Sequence, residues 1–263
     1  MGSATRESLG TATAVLTAQG AIDFATGEQL LAAALVVDGS APLRAALTDD
    51  TAPVEGRSSI VHAVFSEYTK AAQAVLESLA SGRWSSEEDF VAGVERLGIR
   101  ALAASAPKTV SIDDELFAFS TAVASSSELE LGLGSRLGAA EGKVALVEAL
   151  LGGKASPQTV AILNALIGHP RGRRTDELVR YAASIVAEEA GHTIATVTVA
   201  APLTAAQTER LATALAAQYG NSVLINELVD PSILGGMRVQ IGDEVIDGSI
   251  ANRIADLRLR LAS

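Results

Sequence analysis

The sequence contains no cysteine. That excludes disulfides, thiolate metal sites and cysteine nucleophiles, and it is compatible with a cytoplasmic protein. Aromatic residues supply only 3% of the chain although 48% is hydrophobic. Alanine, leucine and valine therefore carry the apolar content, which favours closely packed small-residue helices over an aromatic-rich β core. Basic residues are outnumbered: 20 Lys and Arg face 31 Asp and Glu, giving a net charge of −11 and a pI near 4.8. Such a chain repels nucleic acid and anionic lipid, so neither is expected as a direct partner. The longest apolar run, Leu30 to Val37, is far short of a membrane span, so no direct membrane insertion is expected. The opening MGSATRES lacks a basic segment leading into an apolar one. It also places Arg6 where a myristoylation signal needs Ser or Thr.

Motifs for chemistry are missing too. The glycine-rich stretch GGMRVQIGDEVIDGS, Gly235 to Ser249, has no lysine to reach a phosphate. Its Asp243, Glu244 and Asp247 are too few for a cation loop, and neighbouring strand residues point to opposite faces. Gly132-Leu133-Gly134-Ser135-Arg136-Leu137-Gly138 is one residue too long for a dinucleotide fingerprint, and no strand precedes it. His62, His169 and His192 lie far apart and outside any HExxH pattern, and there is no Gly-x-Ser-x-Gly elbow. No catalytic residue, cofactor site or metal site is expected. Glu87-Glu88-Asp89 reads as a solvated acidic helix start. Arg171-Gly172-Arg173-Arg174 is the one basic cluster, either a solvated loop or a contact for an acidic partner surface.

What is present is helix grammar. Ser156 caps a helix through Gly168, with Pro157 in the first turn and Pro170 beyond its end. The hydroxyl satisfies a free amide, proline loses no bond there, and Gly168 can take the left-handed closing position. Val160, Leu163 and Ile167 form one stripe of this helix, and Ile162 and Leu166 a second. Ser85 and Glu88 match a capping box ahead of Phe90, Val94, Leu97 and Ala101. Thr175 precedes Asp176 and Glu177, which suit the positive end of a helix carrying Leu178, Ala182 and Ile185. Gly191 ends that helix.

The chain also repeats itself. Glu28–Phe65 aligns without a gap on Asp114–Leu151. Leu30 meets Leu116, Leu43 meets Leu129, Leu47 meets Leu133, and Glu55-Gly56-Arg57 meets Glu141-Gly142-Lys143. With small gaps, Gly82-Arg83 meets Gly172-Arg173. Two tandem helical bundles follow, 1–106 and 107–190, jointed at Ala106-Pro107-Lys108.

After Gly191 the period changes. Ala195, Val197, Val199 and Ala201 alternate with Thr196 and Thr198, as in a half-buried strand ended by Pro202. Thr204 with Gln207 forms a capping box for a helix with Leu211 and Leu215, closed by Gly220. Ser222 to Val229 reads as another strand. Met237, Val239 and Ile241 share one face of a hairpin with a Gly242-Asp243 turn and a return strand Glu244 to Asp247. Ser249 caps a last helix with Ile250, Ile254, Leu257 and Leu261 on one side. The expected fold is mainly α, two helical bundles followed by a small α/β domain over 191–263.

Three stretches carry a family likeness: Val197 to Thr204, Val229 to Asp243 and Val245 to Ser249. They resemble the delta subunit of bacterial F-type ATP synthase, the family of the oligomycin-sensitivity-conferral protein. Residues from about 107 onward resemble it throughout, including the Gly172-Arg173 step, and Ser3 to Gln19 resembles its first helix. The usual member has one helical bundle, so a chain with two resembles the long actinobacterial form. The resemblance implies a non-catalytic stator subunit of the peripheral stalk, on the cytoplasmic face of the cell membrane. It implies partners: the N-terminal helices of the alpha subunits on the helical part, and the b subunit on the C-terminal domain. For the alpha helix it points to Leu9, Val15 and Leu16 with the fifth helix of a bundle (Val160, Leu163 and Ile167, or Val75, Leu76 and Leu79). For the b subunit it points to Leu257 and Leu261. The alternative is a helical scaffold of an unrelated complex.

Overall fold

A computed structural model describes residues 2–135, 138–231, 235–241 and 244–248. Chain contacts divide the molecule into two compact units, Met1–Ile185 and Val186–Ser263. Twelve helices and four strands are present among the described residues, so the chain is mainly α with an α/β part near its C-terminus.

The first unit opens with α1 (Ser3–Ala18), α2 (Phe24–Asp38), α3 (Ala41–Thr48), α4 (Val54–Val64), α5 (Lys70–Ser81) and α6 (Glu87–Ser105). One apolar core joins them: Ala12 and Leu16 of α1, Leu30 and Val37 of α2, Val75, Leu76 and Leu79 of α5, and Phe90, Val94 and Leu97 of α6. The stripe Phe90, Val94, Leu97, Ala101 read from the sequence is buried along its whole length. α2 lies closest to α6 because glycine permits it. A methyl group on Gly27 would sit 2.8 Å from the Leu102 amide nitrogen, and one on Gly98 3.0 Å from that of Leu31.

α7 (Ile112–Ala124), α8 (Ser127–Gly134), α9 (Ala140–Leu151), α10 (Pro157–Gly168) and α11 (Thr175–Glu189) follow. α10 packs against α9, α6, α2 and α7. Local geometry recurs where the sequence recurs. α3 and α8 are each eight residues long and capped by a serine, Ser40 and Ser126. Gln29 Oε1 accepts from the Thr69 amide at 2.8 Å, just ahead of α5, and the Glu115 carboxylate accepts from the Ser156 amide at 3.0 Å, just ahead of α10. Arg57 and Lys143, aligned by the repeat, are 4% and 6% exposed.

Several sequence expectations move by a residue. The cap of α6 is Ser86, which accepts from the Asp89 amide at 3.1 Å, whereas the expected Ser85 bonds to Thr5 of α1. Gly168 is the last helical residue and not a left-handed terminus. The positive φ falls instead on Arg171 (46°) and Gly172 (80°), where the chain turns back on itself. α11 starts at Thr175, with the Glu177 carboxylate accepting from the Arg174 amide at 3.0 Å. Ser156 with Pro157 opens α10 as expected.

In the second unit, β1 (His192–Val199) runs parallel to β2 (Ser222–Val229), and α12 (Ala205–Tyr219) is the crossover between them. β1 also pairs antiparallel with β3 (Met237–Ile241), which pairs with β4 (Glu244–Asp247), giving the order β2-β1-β3-β4. Ala195, Val197, Val199, Val239 and Ile241 form the core with Leu215 of α12. Thr204 and Gln207 make the reciprocal capping box, and Gly220 closes α12 at φ 77°. The Gly242-Asp243 turn and the terminal helix, with Leu257 and Leu261, lie outside the described residues.

Candidate docking surfaces

α1 is fixed by small polar side chains before any apolar contact is counted. Buried Thr5 donates to Asp89 Oδ2 at 2.8 Å and accepts from the Ser85 amide at 3.2 Å. Buried Ser8 donates to the Arg83 carbonyl at 2.7 Å and accepts from the Arg83 amide at 3.0 Å. These bonds clamp α1 to the turn after α5. Trp84 closes the seam from below: its indole N–H donates to the Leu79 carbonyl at 2.9 Å, and its ring meets Phe90 edge-on at 5.3 Å.

This clamp decides which faces remain. Leu9 and Leu16 turn inward and are buried, whereas Val15 is half-buried and Ala14 exposed. α1 packs chiefly against α5, then α6. Leu16, Val75, Leu76 and Leu79 share one core, with Val15 at its margin. On α10, Leu163 and Ile167 are buried and Val160 is half-buried. The α1 residues and the α10 residues thus sit on helices with different principal neighbours.

The basic cluster is an internal device. Glu95, 7% exposed on α6, faces Arg171 Nη2 at 2.6 Å and Arg173 Nη2 at 2.9 Å. Arg173 also stacks on Tyr181, its guanidinium carbon 4.9 Å from the ring centre. Burial, and then the Glu95 charge, push the Tyr181 phenol up to about 12. Arg174 pairs with Glu130 at 3.4 Å and with Asp176 at 3.7 Å. The expectation of a solvated loop holds for Arg174, 72% exposed, whereas Arg171 and Arg173 are spent on the buried Glu95 carboxylate of their own chain. A buried carboxylate mid-stripe on α6 demanded a cation somewhere, and that was the available signal. Sequence distance hid which cation answered.

His169 borders a cavity of about 230 Å3 between α2, α6 and α10, together with Glu28, Asp38 and Glu95. His62 is elsewhere on α4, 3.2 Å from Glu77. Among the described residues there is no group of three or more histidine or acidic side chains placed to hold a metal ion. No single described helix is long and apolar enough to cross a membrane.

Residues 99–261 match the family model described as ATP synthase delta (OSCP) subunit. The ATP synthase subunit delta of Leifsonia xyli subsp. xyli is 51% identical over 263 residues, covering 100% of both chains. Its counterpart in Kineococcus radiotolerans is 39% identical over 251 residues, 94% of this chain and 91% of the relative. That of Acidothermus cellulolyticus is 39% identical over 241 residues, 90% and 88%. The helices ahead of residue 99 fall outside the family-model match but inside the alignment with the Leifsonia protein.

Proposed function

This chain belongs to the ATP synthase delta (OSCP) subunit family, and on that premise we propose that it is the stator link between the catalytic head and the membrane-anchored b subunit. It is a non-catalytic subunit of the ATP synthase. The observation that carries the proposal is the 51% identity across the entire chain to an ATP synthase subunit delta. The work is mechanical: to hold the head against rotation, from the cytoplasmic face of the membrane, as a peripheral subunit.

In this reading the two bundles, 1–106 and 107–190, are duplicated copies, which the matched bonds of Gln29 and Glu115 support. The alpha N-terminal helix docks along α1, over Val15 and the margins of Leu9 and Leu16, beside α5. The corresponding seam of the second copy, between α6 and α10 with Val160, Leu163 and Ile167, already carries α2 across it, which favours the first copy. Leu257 and Leu261 supply the contact with the b subunit.

Each fully buried apolar anchor of a partner helix contributes roughly 1.5–3 kcal/mol. Association costs at least about 4 kcal/mol, so a single groove is only moderately tight. A second attachment to another subunit raises the effective concentration at the first and makes dissociation rare.

The test is titration of the full chain with a peptide of the alpha N-terminus, alongside return of the chain to membranes stripped of it. Binding in the micromolar range, and recovery of ATP-driven proton pumping, are expected. Val15→Asp weakens the peptide by roughly tenfold, about 1.4 kcal/mol. A chain that binds no alpha peptide and restores no coupling is not the stator link.

A further inference from the structure

We propose that the cavity between α2, α6 and α10 receives a basic amphipathic helix of another ATP synthase subunit. The apolar face of that helix covers Leu35 and Val36, and its lysine or arginine side chains meet Glu28 and Asp38. The inference rests on the chain's place in the ATP synthase. It concerns a surface distinct from the α1–α5 seam.

The cavity measures about 230 Å3, and all of its wall falls within the described residues. Leu31, Ala32 and Leu35 of α2 line it with Ala161 and Ala165 of α10. At its edge Leu35 is 42% exposed, and the adjacent Val36 is 44% exposed. The repeat supplies an internal control. Thr121 and Ala122 of α7 stand at the positions of Leu35 and Val36, and both are exposed. The shared architecture thus accepts a polar and a small side chain there. Two large apolar ones on α2, continuous with an apolar cavity wall, mark a surface that is covered.

The polar groups set the sign of the partner. Glu28 makes no ion pair or hydrogen bond among the described residues. Asp38 has a distant partner: Arg44 lies 3.9 Å from its carboxylate and is held by Glu87 at 2.9 Å. The guanidinium at the wall, Arg171, is spent on Glu95 at 2.6 Å. Glu28 and Asp38 stand about 15 Å apart along α2, so negative charge flanks the cavity at both ends. Asn164 adds an acceptor. Its Nδ2 donates to Glu148 Oε1 at 3.2 Å, which fixes the orientation of the amide, and its Oδ1 is buried without a donor among the described residues. All three groups call for N–H donors, and two of them for positive charge.

Charge and polarity together select the occupant. A small organic cation would meet the carboxylates and leave Leu35 and Val36 bare. An acidic or wholly apolar helix would desolvate Glu28 and Asp38 without a counter-charge. A helix with an apolar face flanked by Lys or Arg answers both, and the opposite charges steer its approach.

The absence of cysteine makes the test direct, because Ala32→Cys, at an exposed position of the wall, gives this subunit a single thiol. Its reaction with a maleimide is followed in the isolated chain and in the assembled ATP synthase. Expected is a roughly tenfold slower reaction in the assembly, as when the docked state predominates. Glu28→Asp retains this protection and Glu28→Lys loses it. Leu35→Thr combined with Val36→Ala, the pair that α7 carries, also loses it. A photo-crosslinker on the Ala32→Cys thiol of an otherwise unchanged chain captures a helical segment of another subunit bearing Lys or Arg. That mapping does not depend on the folding of any charge variant.

Equal reactivity in both states overturns the proposal, as does full protection in a folded Glu28→Lys chain. A crosslink to a segment without a basic residue, to residues 249–263 of this chain or to a second copy of it also overturns the proposal. Ala14→Cys on α1 serves as the parallel probe of the proposed alpha contact. Protection of the α2 thiol without the α1 thiol sinks that contact and leaves this one standing. A chain that joins the ATP synthase with its α2 thiol unprotected sinks this proposal alone. A chain that joins no ATP synthase sinks the stator reading, and this proposal falls with it.

Discussion

Arg173 grips Glu95 with one nitrogen, Nη2 lying 2.9 Å from Oε1 and 3.1 Å from Oε2, across 78 positions of sequence. Arg171 reaches the same carboxylate, so one buried charge on α6 gathers the whole turn between α10 and α11. Such a triad fixes where a loop sits more than it adds net stability, because desolvation offsets the attraction.

Removing the carboxylate alone is therefore costly. Glu95→Ala leaves two guanidiniums facing an apolar wall. It is expected to destabilise the chain by about 2–3 kcal/mol, the low end for a broken buried pair because both arginines keep some water contact. Denaturant unfolding checks this. Unchanged stability would mean that the arginines find water or other acceptors freely.

Burial, with the Glu95 charge second, gives Tyr181 a pH signature. Its folded pKa, about 12, lies above the ordinary value of 10.0. The neutral phenol is favoured in the fold, so its contribution is complete below pH about 10 and is lost as pH rises through about 12. Between those limits stability falls by roughly 1.4 kcal/mol per pH unit from this group. Tyrosinate absorbance of a chain carrying Tyr68→Phe and Tyr219→Phe reads Tyr181 alone. A midpoint near the ordinary value would contradict the buried placement.

The α2–α6 crossing predicts opposite signs for two glycine replacements. Gly27→Ala gains helix propensity but drives a methyl against the Leu102 backbone, and it is expected to lose about 1–3 kcal/mol. Gly10→Ala on α1 meets nothing within 4 Å and is expected to gain about 0.5–1 kcal/mol. Thermal melts of the two chains, compared side by side, settle the matter. A stabilising Gly27→Ala would show that the crossing is looser than described.

The repeat predicts matched but unequal responses. Gln29→Ala frees the Thr69 amide, and Glu115→Ala frees the Ser156 amide and the hydroxyls of Ser156 and Thr159. A charged acceptor holding three donors is worth more than a neutral one, so losses of about 1 and about 2 kcal/mol are expected. Hydrogen exchange at Thr69 and Ser156 reports each site locally. Equal protection in wild type and variants would separate these bonds from helix anchoring.

Short-range rules made the elements legible. Ser156-Pro157 opened α10, Thr204 with Gln207 opened α12, and period-two alternation gave β1 and β3, because each depends on neighbours within a few residues. The errors came where a distant group competed. Ser85 was the better cap by spacing, but Thr5 claims it from 80 positions away. Gly168 was the expected helix terminator, but the turn that serves Glu95 puts the left-handed residues at Arg171 and Gly172.

The position of α6 bears on how this protein can be cut. One side of it completes the core shared with α1, α2 and α5, and another meets α10 and lends Glu95 to the arginines beyond. A gene shortened at Pro107 would leave that carboxylate without its counter-ions and the helix half bare. A gene begun at Pro107 would strand the arginines. Neither half is thus self-sufficient unless the shared wall is rebuilt.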